Sequence, residues 1–263
     1  MRHARASAVA LAACLAGCVQ SSFNLATQKQ DYTFTSVTKE VSLGRKIAEQ
    51  VEKKWPPVAN VELQERIRTM GEQIAAVCER QEILYHFAVI EGEEVNAFSL
   101  PGGWVYVHEG LTEKVASDDE LAGVVAHEVA HIAARHSIQR YETGLGMQLA
   151  QLAAAITRTG ELAAGVSVAS QAAQLAYSRE AEIEADRLAV KYLKDAGYDP
   201  TAMLSFLDTL HEVHRDSDRY MPRGVVRPQY AVTHPFVPER KLAVKEALYG
   251  VGDYIDYLNV QTR

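Results

Sequence analysis

The sequence predicts a mainly α, α+β domain, on three observations. Apolar residues recur at helical spacing over Thr38–Trp55 and Val61–Arg80. Apart from Gly123, His127, Glu128 and His131, the stretch Leu121–Ala134 is wholly apolar, so it reads as a helix buried on most sides. Strand-like alternation is confined to short runs between Tyr85 and His108. No internal repeat is visible, and roughly 225 residues follow an N-terminal lead, enough for one domain with its own core.

Residues 1–17 read as a targeting segment. Arg2 and Arg5 precede an apolar run of small residues from Ala6 to Ala16, too short to span a bilayer. Leu15-Ala16-Gly17-Cys18 resembles the lipobox of bacterial lipoproteins. The resemblance implies cleavage before Cys18, lipid on Cys18, and, because Val19 is not Asp, the periplasmic face of the outer membrane. Residues 18–36 are rich in Ser, Thr and Gln with little periodicity, which predicts a flexible tether ahead of a domain over 37–263.

Loss of residues 1–17 leaves 25 Lys and Arg against 34 Asp and Glu, a net charge near −9. Such a balance excludes a nucleic-acid partner, which calls for a basic patch. Cys14 leaves with the signal and Cys18 carries lipid, so Cys78 stands alone and no internal disulfide can form. Its amphipathic surroundings make it a small buried hydrophobe.

The first two helices are separated by Pro56-Pro57, and the second carries Leu63, Ile67, Met70, Ile74 and Val77 on one stripe. Tyr85–Ile90, Asn96–Leu100 and Trp104–His108, with Pro101-Gly102-Gly103 between the last two, predict a small antiparallel sheet. That sheet either caps the helices or offers an edge to an extended substrate. Met147–Ile156 and Leu162–Ala176 are Ala-rich helical stretches too polar to cross a membrane. A long acidic helix runs from Tyr177 to about Lys194, ended by Gly197 and Pro200.

Chemistry enters with His127-Glu128-Val129-Ala130-His131. Histidines four apart project from one face about a turn apart and can reach a single zinc ion; Glu128 beside them can reach a metal-bound water. A catalytic zinc needs a third protein ligand. Ala134 and Ser137 stand where a metzincin would have Gly and His, so the ligand lies elsewhere. Glu180, Glu184, Arg187 and Lys191 share an all-charged face that reads as solvated. Glu182 and Asp186 share another, continuous with Leu175, Ala189 and Leu193. Two like charges one turn apart on an apolar face need a cation or protons nearby. Glu182 as ligand, with Asp186 orienting a ligand histidine, meets that need.

HEVAH at 127–131, SREAEIEAD at 178–186, NAFSLPGG at 96–103 and THPFVPER at 233–240 together resemble metallopeptidase family forty-eight, the CAAX prenyl protease and HtpX-like family. Within it the chain is similar to the compact periplasmic lipoproteins of the LoiP and BepA type. The resemblance implies a zincin-type (gluzincin) domain with one Zn2+ per subunit, bound by His127, His131 and Glu182. It makes Glu128 the catalytic base and Asp186 the residue behind the ligands. It also brings His234 near the metal and lays Asn96, Ala97 and Phe98 along the cleft as substrate-binding residues. The expected activity is endopeptidase cleavage of misfolded or unassembled envelope proteins. The expected partners are protein substrates, the membrane through the lipid, and outer-membrane assembly machinery. The alternative is a periplasmic chaperone or assembly scaffold with a structural zinc.

In the expected hydrolysis, Glu128 takes a proton from a zinc-activated water and delivers it to the leaving amine, while His234 assists at the oxyanion. His214–Val232 lacks a clear period and predicts a surface loop. It leads to His234-Pro235 and then a helix over Pro238–Leu248 with Leu242 and Ala243 inward. Loop and His234 together suggest a latch on the resting site. The remaining histidines, His136 among them, have no sequence partner and carry no expected role.

Overall fold

The computed structural model describes residues 20–144, 177–220, 234–235 and 237–261. The signal segment with Cys18, the Ala-rich stretches after Met147 and residues 221–233 lie outside that set.

Where composition predicts a flexible tether, Gln20–Asn24 (β1) and Lys29–Thr33 (β2) pair as an antiparallel hairpin. Polar side chains dock it to the body. Asn24 donates to Asp31 (2.8 Å) and to the carbonyl of Ala133 (3.2 Å), and Gln139 donates to Asp31 (3.3 Å). The core-facing positions here, Asn24, Asp31 and Thr33, are polar while the aromatic residues alternate outward, so the sequence carries no core-facing apolar stripe to betray the strands.

Two helices follow, α1 (Val37–Lys54) and α2 (Val61–Val77). Asn60 caps α2 by accepting from the Leu63 amide at 3.1 Å. Of the predicted α2 stripe, Ile67, Met70 and Ile74 are buried and Leu63 and Val77 lie at its margin.

The sheet is mixed, which corrects the antiparallel expectation. β3 (His86–Ile90) runs parallel to β5 (Trp104–His108), while β4 (Ala97–Leu100) pairs antiparallel with β5, in the order β3-β5-β4. Its two faces divide by parity. Trp104, Tyr106, Ile90 and Leu100 cluster on the α1 side; Val89, Val105, Val107 and Ala97 join the main core with α2.

After a single turn, α3 (Glu109–Thr112), comes the apolar helix α4 (Asp118–Ala133). Ser117 caps it at 3.2 Å, and Asp118, Asp119 and Glu120 face the positive end of its dipole. Every residue from Glu120 to Ala133 is buried. α4 packs against α2, β4, α5 (Arg179–Ala196) and α6 (Ala202–Tyr220), and α7 (Val237–Gln261) closes over α5 and α6. Gly197, at φ 87, ends α5 in the left-handed conformation the sequence suggests.

Two expectations near the C-terminus need correction. The surface loop expected over His214–Val232 is helix as far as Tyr220, where α6 continues, and the rest of that stretch lies outside the described residues. On α7, Ala243 points inward as expected, but Leu242 is 43% exposed, and Arg240 and Val244 are buried beside Ala243. Cys78 is buried, its thiol 3.2 Å from the Tyr85 hydroxyl. Among the described residues no helix is long and apolar enough to cross a membrane.

Candidate metal centre

Helical spacing on α4 brings His127 Nε2 and His131 Nε2 to 3.0 Å of each other. From α5, which packs closely on α4, Glu182 reaches them: Oε2 lies 3.5 Å from His127 Nε2 and Oε1 3.5 Å from His131 Nε2. His234, just before α7, adds Nδ1 at 3.0 Å from Glu182 Oε1 and 3.3 Å from His127 Nε2. All four side chains are buried. Zinc bonds of about 2.0–2.2 Å in a tetrahedron put neighbouring ligand atoms roughly 3.3–3.6 Å apart. The observed separations sit at or slightly inside that spacing, so the donor set fits one zinc ion.

Hydrogen bonds fix how each ligand presents its lone pair. Asp186 Oδ1 lies 2.9 Å from His127 Nδ1, so that nitrogen holds the proton and Nε2 is left for the metal. Arg240 Nε and Nη2 each donate to Asp186 at 2.8 Å, and Arg240 Nη1 lies 3.0 Å from Glu182 Oε2. The two carboxylates therefore share one buried cation, the Arg240 guanidinium.

His131 is held by a residue to which the sequence assigns no role. α4 ends at Ala133, and Arg135 adopts φ 61, a left-handed conformation unusual for a residue with a Cβ. The reversal turns His136 back, so that its Nδ1 lies 3.0 Å from His131 Nδ1 while its Nε2 lies 3.2 Å from Glu184 Oε2. Glu184 thereby leaves the solvated face expected for it, whereas Glu180 stays exposed. The Tyr177 ring stacks on His131 at 3.8 Å, its hydroxyl 3.1 Å from Ser137, which in turn is 3.3 Å from Ser99 on β4.

The electrostatics call for positive charge at the centre. Burial and Arg240 both push the His127 imidazole down, yet Asp186 and Glu182 outweigh them and hold it up at about 9. Burial drives His131 well below the usual imidazole value, with Glu182 opposing. Burial would raise Glu182, but His234, Arg240 and the two α4 histidines hold its carboxyl well below the ordinary range. Asp186 is lowered too, Arg240 and His127 overcoming its burial.

Glu128 is buried, and among the described residues neither of its carboxylate oxygens has a hydrogen-bond partner. His234 Nε2 is 3.4 Å from Glu128 Oε1. A buried carboxylate left free beside a ligand cluster is costly unless it has work there.

The predicted substrate strip is divided by the sheet. Ala97 is fully buried on the α4 side; Phe98 points to the other face, against Tyr106 (ring centroids 5.5 Å) and Trp55 (6.5 Å). Asn96 is buried, with Oδ1 unpartnered among the described residues and its carbonyl accepting from the His108 amide at 2.9 Å. The three do not line one cleft. Beyond His136, sequence reasoning also passed over Arg240. The signal for it was present, since the Glu182–Asp186 pair required a cation and Arg240 closes the THPFVPER stretch.

The sequence profile of peptidase family M48 matches residues 61–248. The chain is 29% identical over 218 residues to the beta-barrel assembly-enhancing protease of Escherichia coli (strain K12), covering 79% of this chain and 43% of that protein. It is 29% identical over 215 residues to a putative beta-barrel assembly-enhancing protease of Vibrio cholerae, covering 78% and 43%. To the mitochondrial metalloendopeptidase OMA1 of Schizosaccharomyces pombe it is 31% identical over 178 residues, covering 67% and 50%. The chain thus spans less than half the length of the bacterial proteases it matches. The matched segment takes in the α4 histidines, the α5 carboxylates and His234 together, and the chain belongs to peptidase family M48, a family of zinc metallopeptidases.

Proposed function

We propose that this protein is a zinc-dependent endopeptidase of the bacterial cell envelope that hydrolyses misfolded or unassembled envelope proteins. One observation carries the reading: Glu128 is buried and, among the described residues, makes no hydrogen bond, beside the cluster of His127, His131 and Glu182. Those ligands would hold zinc, which would supply Lewis-acid polarisation for water and the scissile carbonyl. Glu128 is placed to accept a proton from the attacking water and return it to the leaving amine. Asp186 and His136 hold the imidazoles in register. His234, with Nδ1 inside the ligand set, restrains the resting site and withdraws when substrate enters.

Four protein ligands can also close a structural zinc site, and the inward reach of His234 favours a second reading, a periplasmic chaperone or assembly scaffold. Glu128 separates the two, since a structural site has no use for a buried carboxylate that makes no hydrogen bond among the described residues. Casein or a misfolded protein incubated with the purified protein, with and without chelator, is the test. We expect cleavage that chelation abolishes and that Glu128→Gln abolishes while zinc is retained. Near wild-type cleavage by Glu128→Gln would overturn the mechanism, and no cleavage by the wild type would favour the scaffold.

The names of the bacterial relatives extend the proposal to substrates and partners in outer-membrane β-barrel assembly. The Leu15-Ala16-Gly17-Cys18 stretch supports anchoring by lipid on Cys18, at the periplasmic face of the outer membrane.

A further inference from the structure

The N-terminal hairpin is inside out. Its inward face is polar. Ser22 accepts from Arg135 at 3.3 Å, Asn24 donates to the Ala133 carbonyl, Asp31 accepts from Gln139, Lys29 pairs with Glu184 at 2.5 Å, and Thr33 is buried. By strand parity the opposite face carries Ser21, Phe23, Gln30 and Tyr32, with Phe34 continuing it beyond β2. That face holds no charged residue. Phe23 is 55% exposed, Tyr32 65% and Phe34 56%, and Leu25 beside the turn is 59% exposed. The other exposed large hydrophobics among the described residues, Val61, Leu84, Leu242 and Tyr249, lie on other elements. A two-stranded hairpin that spends its polar side on the body and leaves aromatics in water is a poor bargain unless something apolar covers them.

We propose that this aromatic face seats in the headgroup region of the bilayer that holds the protein's own lipid, so the catalytic domain lies on the membrane and does not hang from a tether. The proposal rests on the anchoring at Cys18 read above. The number of residues between anchor and hairpin argues for the bilayer over other occupants. Val19 alone separates Cys18 from β1. An extended chain spans at most about 3.6 Å per residue, so β1 begins within roughly 7 Å of the lipidated residue, and Phe23 lies within roughly 18 Å. The polar zone on each side of the hydrocarbon is itself about 5–8 Å deep. Phe and Tyr suit that zone, where aromatic rings bury their faces and a phenol stays wet.

The test uses the full-length acylated protein in vesicles of phosphatidylethanolamine and phosphatidylglycerol with brominated acyl chains. Phe23→Trp, Tyr32→Trp and, as a control far along the chain, Val61→Trp are compared with the wild type, whose Trp55 and Trp104 give the baseline. Mass analysis of the N-terminal peptide reports the lipid, and zinc content reports the fold. We expect the added emission at positions 23 and 32 to be quenched and that at 61 to persist. If Cys18 carries lipid and the emission at 23 and 32 survives, the face is not in the bilayer. Cross-linking through position 32 then identifies a second copy or residues 147–176 as its cover, and the proposal falls. If Cys18 carries no lipid, the anchoring reading itself fails, and quenching has no bearing on it.

Discussion

His131 Nδ1 lies 3.0 Å from His136 Nδ1, so one imidazole of the candidate metal cluster is oriented by another imidazole outside that cluster. For His131 to offer Nε2 to the metal, its Nδ1 must carry the proton and His136 must accept it. His136 Nε2 then donates to Glu184, 3.2 Å away. His127, by contrast, leans on a carboxylate, Asp186.

His136→Ala should therefore weaken zinc binding by about 10–100-fold, the range for groups that orient metal ligands. His136→Asn, whose amide oxygen can accept from His131, should recover part of it. Competition with a chelator measures both, and the spectrum of the cobalt-substituted protein reports ligand geometry directly. Unchanged affinity in His136→Ala would show that His131 needs no such support.

Zinc content should be lost from Glu182→Ala and kept in Glu180→Ala. The two residues are neighbours on α5, yet one is buried in the cluster and the other is exposed. Elemental analysis of the purified variants decides, and loss from Glu180→Ala alone would reject the ligand assignment.

His234→Ala should keep zinc, because three protein ligands remain, and should cleave an unfolded substrate faster than the wild type. The reason is that Nδ1 of His234 sits among the ligand atoms, 3.0 Å from Glu182 Oε1. Slower cleavage with zinc retained would instead make it an oxyanion donor, and an unchanged rate would remove it from both roles.

Arg240→Met should destabilise the fold by about 3–5 kcal/mol, since it strips the guanidinium from two fully buried carboxylates, Asp186 and Glu182. Urea denaturation of the zinc-bound variant at neutral pH is the measurement. The double variant Arg240→Met, Asp186→Asn should regain part of the loss, because it removes one uncompensated charge with the other.

Spacing along one helix determined much of the site without further help. Residues four apart on a helix share a face whatever the rest of the chain does, so His127 with His131 and Glu182 with Asp186 were legible from their numbers. A breaker likewise marked the end of α5, because Gly197 acts on its own helix end.

Contacts between elements were decided by the tertiary structure alone. The Glu182–Asp186 pair called for a cation, but which residue of the run Glu239-Arg240-Lys241 meets it was set by the rotation of α7 against α5, which buries Arg240 on Asp186. Parity puts Ala97 and Phe98 on opposite faces of β4, but only the packing of α4 on one face and α1 on the other says which faces the metal helix. β3 pairs in parallel with β5 across an intervening strand in sequence, an arrangement that alternation does not encode. The hairpin at 20–33 escaped for the same reason. Its polar residues find partners on Ala133, Arg135, Gln139 and Glu184, more than a hundred residues away, and such partners exist only once the chain has folded.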